Sequence, residues 1–278
     1  MHLAIRPMTP ADLPACDAVM TAAYGPGPRL SRLTRYLAVE PGGWLVACEG
    51  GESGPVVAMG GALLYPGVAY LGLMAVLPSH QRRGLGEAVF LRVLALAAAA
   101  GCGTVLLDAS AAGMPLYLRH GFTVDEETQV CQAPPGLGVP PPSDVLPWGA
   151  VDLPEIAAFD AVAFGADRSA MLGAYARAHP NGLWACRSPA GDLLGYAVVQ
   201  DHAVGPVVAE TSEVAERLLR VAPRPLPVAI PGSNAAGLAL LQRLGFTHVR
   251  HVAHMRLGGD GPPGVPSRIF ARASFVAG

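Results

Sequence analysis

The sequence predicts an α/β protein built twice over, each copy a sandwich of helices around a mixed sheet. Two observations predict it. Short apolar runs alternate with longer helical stretches, punctuated by glycine and proline, along all 278 residues. The second half then repeats the first. Asp12-Leu13-Pro14 returns as Asp152-Leu153-Pro154, Tyr24-Gly25 as Phe164-Gly165 and Trp44 as Trp184, all at an offset of 140. Further on, Gly113-x-x-Leu116-x-x-Arg119-x-Gly121-Phe122-Thr123 returns as Gly237-x-x-Leu240-x-x-Arg243-x-Gly245-Phe246-Thr247, at an offset of 124. Copy two is therefore shorter by 140 − 124 = 16 residues between Trp184 and Gly237.

In copy one, Ile5-Arg6-Pro7 reads as a short strand. Thr9-Pro10-Ala11-Asp12 carries the start signals of a helix running to Tyr24, where Gly25 ends it. Arg29 to Ala38 reads as a second helix. Trp44 to Cys48 and Val56 to Tyr65 read as strands joined by the turn Glu49 to Gly54. Val68 to Val76 is a strand stopped by Pro78, and Gly84 to Ala100 a helix closed by Gly101. A strand at Thr104–Asp108, a short helix to His120 and a strand from Phe122 complete the copy. Ala133 to Ser143 has the composition of a stiff connector that cannot pack. The predicted domains are thus 1–132 and 144–278, with 133–143 as linker. Pro266 to Phe275 would close copy two as its last strand.

The chemistry concentrates at Gln81-Arg82-Arg83-Gly84-Leu85-Gly86, between the strand ending at Val76 and the helix after it. The first N–H groups of a helix lack intrahelical partners, and the helix dipole favours an anion there. Glycines let a phosphate approach those amides, and two arginines add fixed positive charge. A Walker loop would need Gly-Lys-Ser/Thr, but the chain has no lysine at all. Nor is the loop the Gly-x-Gly-x-x-Gly of dinucleotide-binding folds, since Val89 stands where the third glycine would be. The matching segment of copy two, Val204 to Ser212, has no such loop.

Gln81-x-x-Gly84-x-Gly86, with Val76-x-Pro78 leading in, resembles the acyl-coenzyme A loop of the GNAT superfamily of N-acetyltransferases. The whole chain is similar to two-domain bacterial members whose second module is degenerate. The resemblance implies tandem folds, each a mixed, mostly antiparallel sheet flanked by helices. It implies acetyl-CoA as cosubstrate, its pyrophosphate on the amides of Arg82, Arg83, Gly84, Leu85 and Gly86 beside Gln81. The pantetheine would pair with the backbone of Met74, Ala75 and Val76. The family's acid is often a tyrosine a few residues before Gly-Phe, a place held by Tyr117. Its asparagine, seven residues before that tyrosine, is replaced here by Ser110. Copy two has Leu241 where copy one has Tyr117, so loop and hydroxyl are absent together. The implied activity is transfer of an acetyl group to an amine, that of a small molecule. A non-catalytic acyl-CoA sensor or partner-binding module on the same scaffold is the alternative.

An amine with a pKa near 10.4 must lose a proton before it attacks. Glu40, Glu49, His80, Asp108 and Asp125 stand near the right elements, and the sequence does not choose among them. His248, His251 and His254 follow Gly245-Phe246, on a predicted strand. Strand alternation puts His248 and His254 on one face roughly 20 Å apart, too far for one metal ion. Net charge is −2, which argues against nucleic acid. The longest apolar run, Ala88 to Cys102, is too short to span a bilayer. Five scattered cysteines without a Cys-x-x-Cys pair suit a reducing cytoplasm.

Overall fold

The computed structural model describes residues 3–27, 29–261 and 263–278. The chain forms two compact units, Met1–Leu107 and Asp108–Gly278.

Unit 1 carries a sheet in the order β1 (Leu3–Pro7), β2 (Trp44–Glu49), β3 (Val56–Tyr65), β4 (Val68–Val76), β5 (Thr104–Ala109). The first four pair antiparallel, and β4–β5 is parallel. Helices α1 (Leu13–Tyr24) and α3 (Leu85–Ala99) pack on β3 and β4, and α2 (Leu30–Val39) packs on α1. Helix α3 buries Leu85, Val89, Phe90, Val93 and Ala97, a stripe at helical spacing. Trp44 is fully buried and stacks on Tyr36, with ring centroids 5.9 Å apart.

Unit 2 starts inside β5 and contains α4 (Met114–Arg119) and β6 (Thr123–Gln132) of copy one. The elements of copy two follow in the order of copy one. They are β7 (Val145–Pro147), α5 (Leu153–Phe164), α6 (Ser169–Ala178), β8 (Leu183–Arg187), β9 (Leu193–Val199), β10 (Val204–Ala209), α7 (Ser212–Leu219), β11 (Pro227–Pro231), α8 (Ala235–Arg243) and β12 (Thr247–Leu257). A strand absent from copy one, β13 (Ile269–Ala271), ends the series. One five-stranded sheet runs β13-β10-β9-β8-β7. A second ladder runs β12-β6-β11, antiparallel throughout.

In that ladder, the equivalent strands of the two copies pair with each other. Thr123 faces Arg256 at one end and Gln132 faces Thr247 at the other, which is the same pairing exchanged between copies. Asp125 bulges from β6 and Val249 from β12. These occupy the same repeat position, so the ladder carries a local pseudo-twofold axis. A bulge reverses side-chain alternation, which corrects the expected histidine pattern. His248 and His251 share a face, their rings stacked at 6.1 Å. His254 instead pairs with Asp108.

The 133–143 segment also differs from expectation. Ala133 and Leu137 are buried in the core with Val221, Ala222 and Leu226. Val139 N–H donates to Arg220 O at 2.8 Å. A proline-rich stretch packs here because β6, just before it, is held between two strands of copy two.

Copy two also buries a charge cluster. Arg168 makes a bidentate pair with Asp160 at 2.6 and 2.8 Å, with both side chains at most 1% exposed. Tyr196 Oη donates to the same carboxylate. The remaining Arg168 donor reaches the main-chain oxygens of Ala277 and Gly278 at 2.8 Å. Arg168→Met would strand Asp160 as an unpaired buried charge. We expect a loss of about 3–5 kcal/mol, read as a lower urea midpoint.

Candidate functional site

Strand β4 is regular up to Leu71, the last residue registered on β5, opposite Leu107. Beyond it the register against β3 shifts, with Gly61 facing Gly72 but Met59 facing Ala75. Leu73 there adopts a φ of +54°, a conformation an L-residue with a side chain rarely takes. Gly60, opposite, has room for Met74 only because it lacks a Cβ, whose place Met74 Sδ would crowd. The Tyr24 hydroxyl, at the end of α1, donates to the Met74 carbonyl.

After β4 a 3-10 turn, Pro78–His80, leads into the loop. Gln81 Nε2 donates to Val76 O at 3.1 Å, fastening the loop to the strand end. Arg82 (φ +58°) and Gly84 (φ +77°) are both left-handed, with Arg83 between them. Alternation of φ sign turns successive N–H groups to one side, the geometry of an anion nest. Gly84 is the N-cap of α3, so the first-turn amides of a 15-residue helix, which have no acceptor within the helix, follow directly. A Cβ on Gly84 would meet no protein atom within 4 Å, so the space beside it is open. A Cβ on Gly86 would only touch Val76 Cγ2, at 3.4 Å. Residues 81–84 are exposed and Leu85 is buried.

The base candidates separate. Glu49 and His80 come together, with His80 Nε2 3.2 Å from Glu49 Oε2 and its Nδ1 2.8 Å from Ser79 Oγ. They sit at the cradle end of β4. Glu40 does not join them. It lies against the backbone of Leu64, whose register partner is Ala69 at the other end of β4, and burial raises its pKa. Asp108 accepts from Thr128 Oγ1 at 2.7 Å and lies 3.2 Å from His254 Nδ1. Asp125 forms a two-point pair with Arg256 at 2.8 and 3.2 Å. Both aspartates are thus engaged by partners within unit 2.

Tyr117 lies on α4, buried, its ring tilted against Phe122 at 5.9 Å. Burial pushes its hydroxyl up to about 12. Ser110 Oγ accepts from Gly113 N at 3.3 Å. Its repeat counterpart Asn234 does the same job, Oδ1 accepting from Gly237 N at 2.8 Å. Asn234 spends its other arm on β13, Nδ2 donating to Ile269 O at 2.9 Å.

In copy two the route from strand to helix shrinks to Val204–Ser212, against Val68–Leu85 in copy one. Strand β13 pairs with β10 and, through Arg272 N–H to Ala229 O at 2.6 Å, reaches β11. The chain's own tail therefore bridges the equivalents of β4 and β5. Two features escaped the sequence reading. One is the Leu73 bulge, which no residue announces. The other is Tyr24, whose signal was available: the repeat exchanges it for Phe164.

A mixed sheet whose fourth strand ends in an anion nest at a helix N-terminus fits the acyltransferase family that the sequence resembles. Comparison with known proteins agrees. Residues 14–122 match the Acetyltransferase (GNAT) family and residues 156–271 match an Acetyltransferase (GNAT) domain. The uncharacterized N-acetyltransferase YitH of Bacillus subtilis (strain 168) is 28% identical over 205 residues, 70% of this chain and 71% of that protein. The crystal structure of a putative acetyltransferase from Pyrococcus horikoshii superposes with a TM-score of 0.86 at 28% identity, covering 99% of this chain and 96% of that one. A GCN5-related N-acetyltransferase from Sphaerobacter thermophilus shares the fold, with a TM-score of 0.62 at 16% identity over 95% of this chain and 97% of its own. The chain belongs to the GNAT acetyltransferases, with two GNAT domains in tandem, and it is an acyltransferase.

Proposed function

We propose that copy one transfers the acetyl group of acetyl-CoA directly to the amine of a small molecule, and that copy two binds no cofactor. The carrying observation is the loop at Gln81–Gly86, a left-handed Gly84 at the start of a 15-residue helix with nothing filling the space a Cβ would take. Acetyl-CoA would supply a reactive thioester and a pyrophosphate. The residues present fit it. The amides of Arg82 to Gly86 would hold the pyrophosphate, and the backbone of Met74 to Val76 would align the pantetheine. Copy two lacks the loop, and β13 occupies its slot. Asn234 gives that strand the hydrogen bond that a family asparagine would give the cofactor.

Tyr117 is the proposed acid, holding a proton for the departing sulfur. The exchange for Leu241 in copy two supports this, since a packing role would be met by either side chain. Ser110 would stand on the cofactor side in place of asparagine, although its hydroxyl already caps α4. Glu49 with His80 is the one pair of base candidates that meets at the cradle end of β4.

The pH dependence has a definite sign. A phenol raised to about 12 stays protonated over the whole working range. The acceptor ammonium must lose its proton, so kcat/KM should rise with pH through the acceptor's own pKa. No descending limb should appear below about pH 11. A descending limb at pH 8–9 that vanishes in Tyr117→Phe would keep Tyr117 as the acid and contradict its raised pKa.

No helix among the described residues is long and apolar enough to cross a membrane, and the five cysteines are unpaired. Both support a cytoplasmic setting. The reaction is tested by release of coenzyme A thiol from acetyl-CoA across small amines, aminoglycosides and short peptides. Acceptor-dependent release supports the reading, and its absence across the panel counts against it.

A further inference from the structure

We propose that Tyr24 positions the acceptor amine. This rests on the acetyl-transfer reading above and adds a residue to it.

The hydroxyl of Tyr24 donates to Met74 O, the carbonyl at the bulge of β4. A phenol has one proton and two lone pairs. With the proton committed to Met74, the oxygen can only accept. Such an oxygen selects a ligand that carries N–H or O–H donors, as an amine does and a thioester carbonyl does not. The residue as a whole is 47% exposed. The carbonyl it is tied to lies two residues before Val76, on the stretch of β4 assigned to the pantetheine and past the last residue registered on β5. A donor on Tyr24 therefore stands beside the strand along which the thioester would lie.

The ring is held in place on its other side. The Arg29 guanidinium sits over it at 5.7 Å from the centroid. Arg29 Nη1 is itself anchored to Gly25 O at 2.6 Å. A fixed cation beside the phenol also disfavours a second cation there, so the site prefers a neutral amine, the form that attacks, to an ammonium.

The repeat supplies an internal control. At the same position copy two has Phe164, buried, with the Arg168 guanidinium 4.3 Å over its ring. The aromatic ring is kept and again lies under an arginine, one place off the repeat position, where Ser169 answers to Arg29; the hydroxyl is gone. Packing alone explains the ring in both copies. Only copy one has an open cradle, and only copy one has the oxygen.

Tyr24→Phe keeps the ring and the stacked arginine and removes only the oxygen. The experiment measures acceptor KM, kcat and acetyl-CoA Kd for wild type and variant, with a thermal melt confirming the fold. The expected result is an acceptor KM raised about tenfold, the size of one lost hydrogen bond, with acetyl-CoA affinity kept within about twofold. Unchanged acceptor KM and kcat would overturn the proposal. So would weakened acetyl-CoA binding with acceptor KM intact, which would make Tyr24 a brace for the cofactor strand. An inactive wild type would sink the acetyl-transfer reading itself, before any variant is compared.

Discussion

Gly84→Val should abolish the cofactor site while leaving the sheet folded. Gly84 has a φ of +77° and begins α3. A β-branched residue there pays about 1–2 kcal/mol for the left-handed conformation. The larger effect is steric. Its Cβ would meet no protein atom, so the added methyls would stand in open space beside the amides proposed to hold the phosphate. We expect acetyl-CoA affinity to fall on the order of a hundredfold or more, near 3 kcal/mol. Gly86→Ala is the matched control. Its Cβ would reach ordinary contact with Val76 alone, so affinity should fall far less. Equal losses at both positions would mean that a Cβ at Gly86 obstructs the phosphate as much as one at Gly84.

Tyr117→Phe should be the complement, with turnover lost and binding kept. The phenol is buried against Phe122, and the substitution removes no ring contact. A positioned acid is worth about a hundredfold or more in rate. We therefore expect kcat to drop on the order of a hundredfold, with acetyl-CoA affinity within about twofold. Rapid-quench measurement of a single turnover would separate this from slow product release. An unchanged kcat would leave Tyr117 as a core aromatic.

The sequence predicted most of copy one to within a residue or two, and the reason is local. Strands β3 and β4 are bounded by glycine and proline signals, and helix α3 is an apolar stripe between two glycines. The turn at Gln81–Gly86 was legible for the same reason, since its glycines and arginines lie in six consecutive residues. What was not legible is non-local. The 133–143 segment reads as linker by composition, yet Leu137 is buried because β6 pairs with strands more than 90 residues away. Nothing in the neighbourhood of Asp108 announces that it will meet His254 and Thr128. The bulge at Val249 changed which histidines face each other, and no residue type demanded it. Tyr24 is intermediate. Its sequence signal was the lost hydroxyl in copy two, which became informative only once the Met74 contact was seen.

The central claim is that one copy binds acetyl-CoA and the other has filled its own slot. Calorimetric titration of the full chain with acetyl-CoA tests it most directly. We expect one site per chain, lost in Gly84→Val. Two sites per chain, or one site that survives Gly84→Val, would contradict the account.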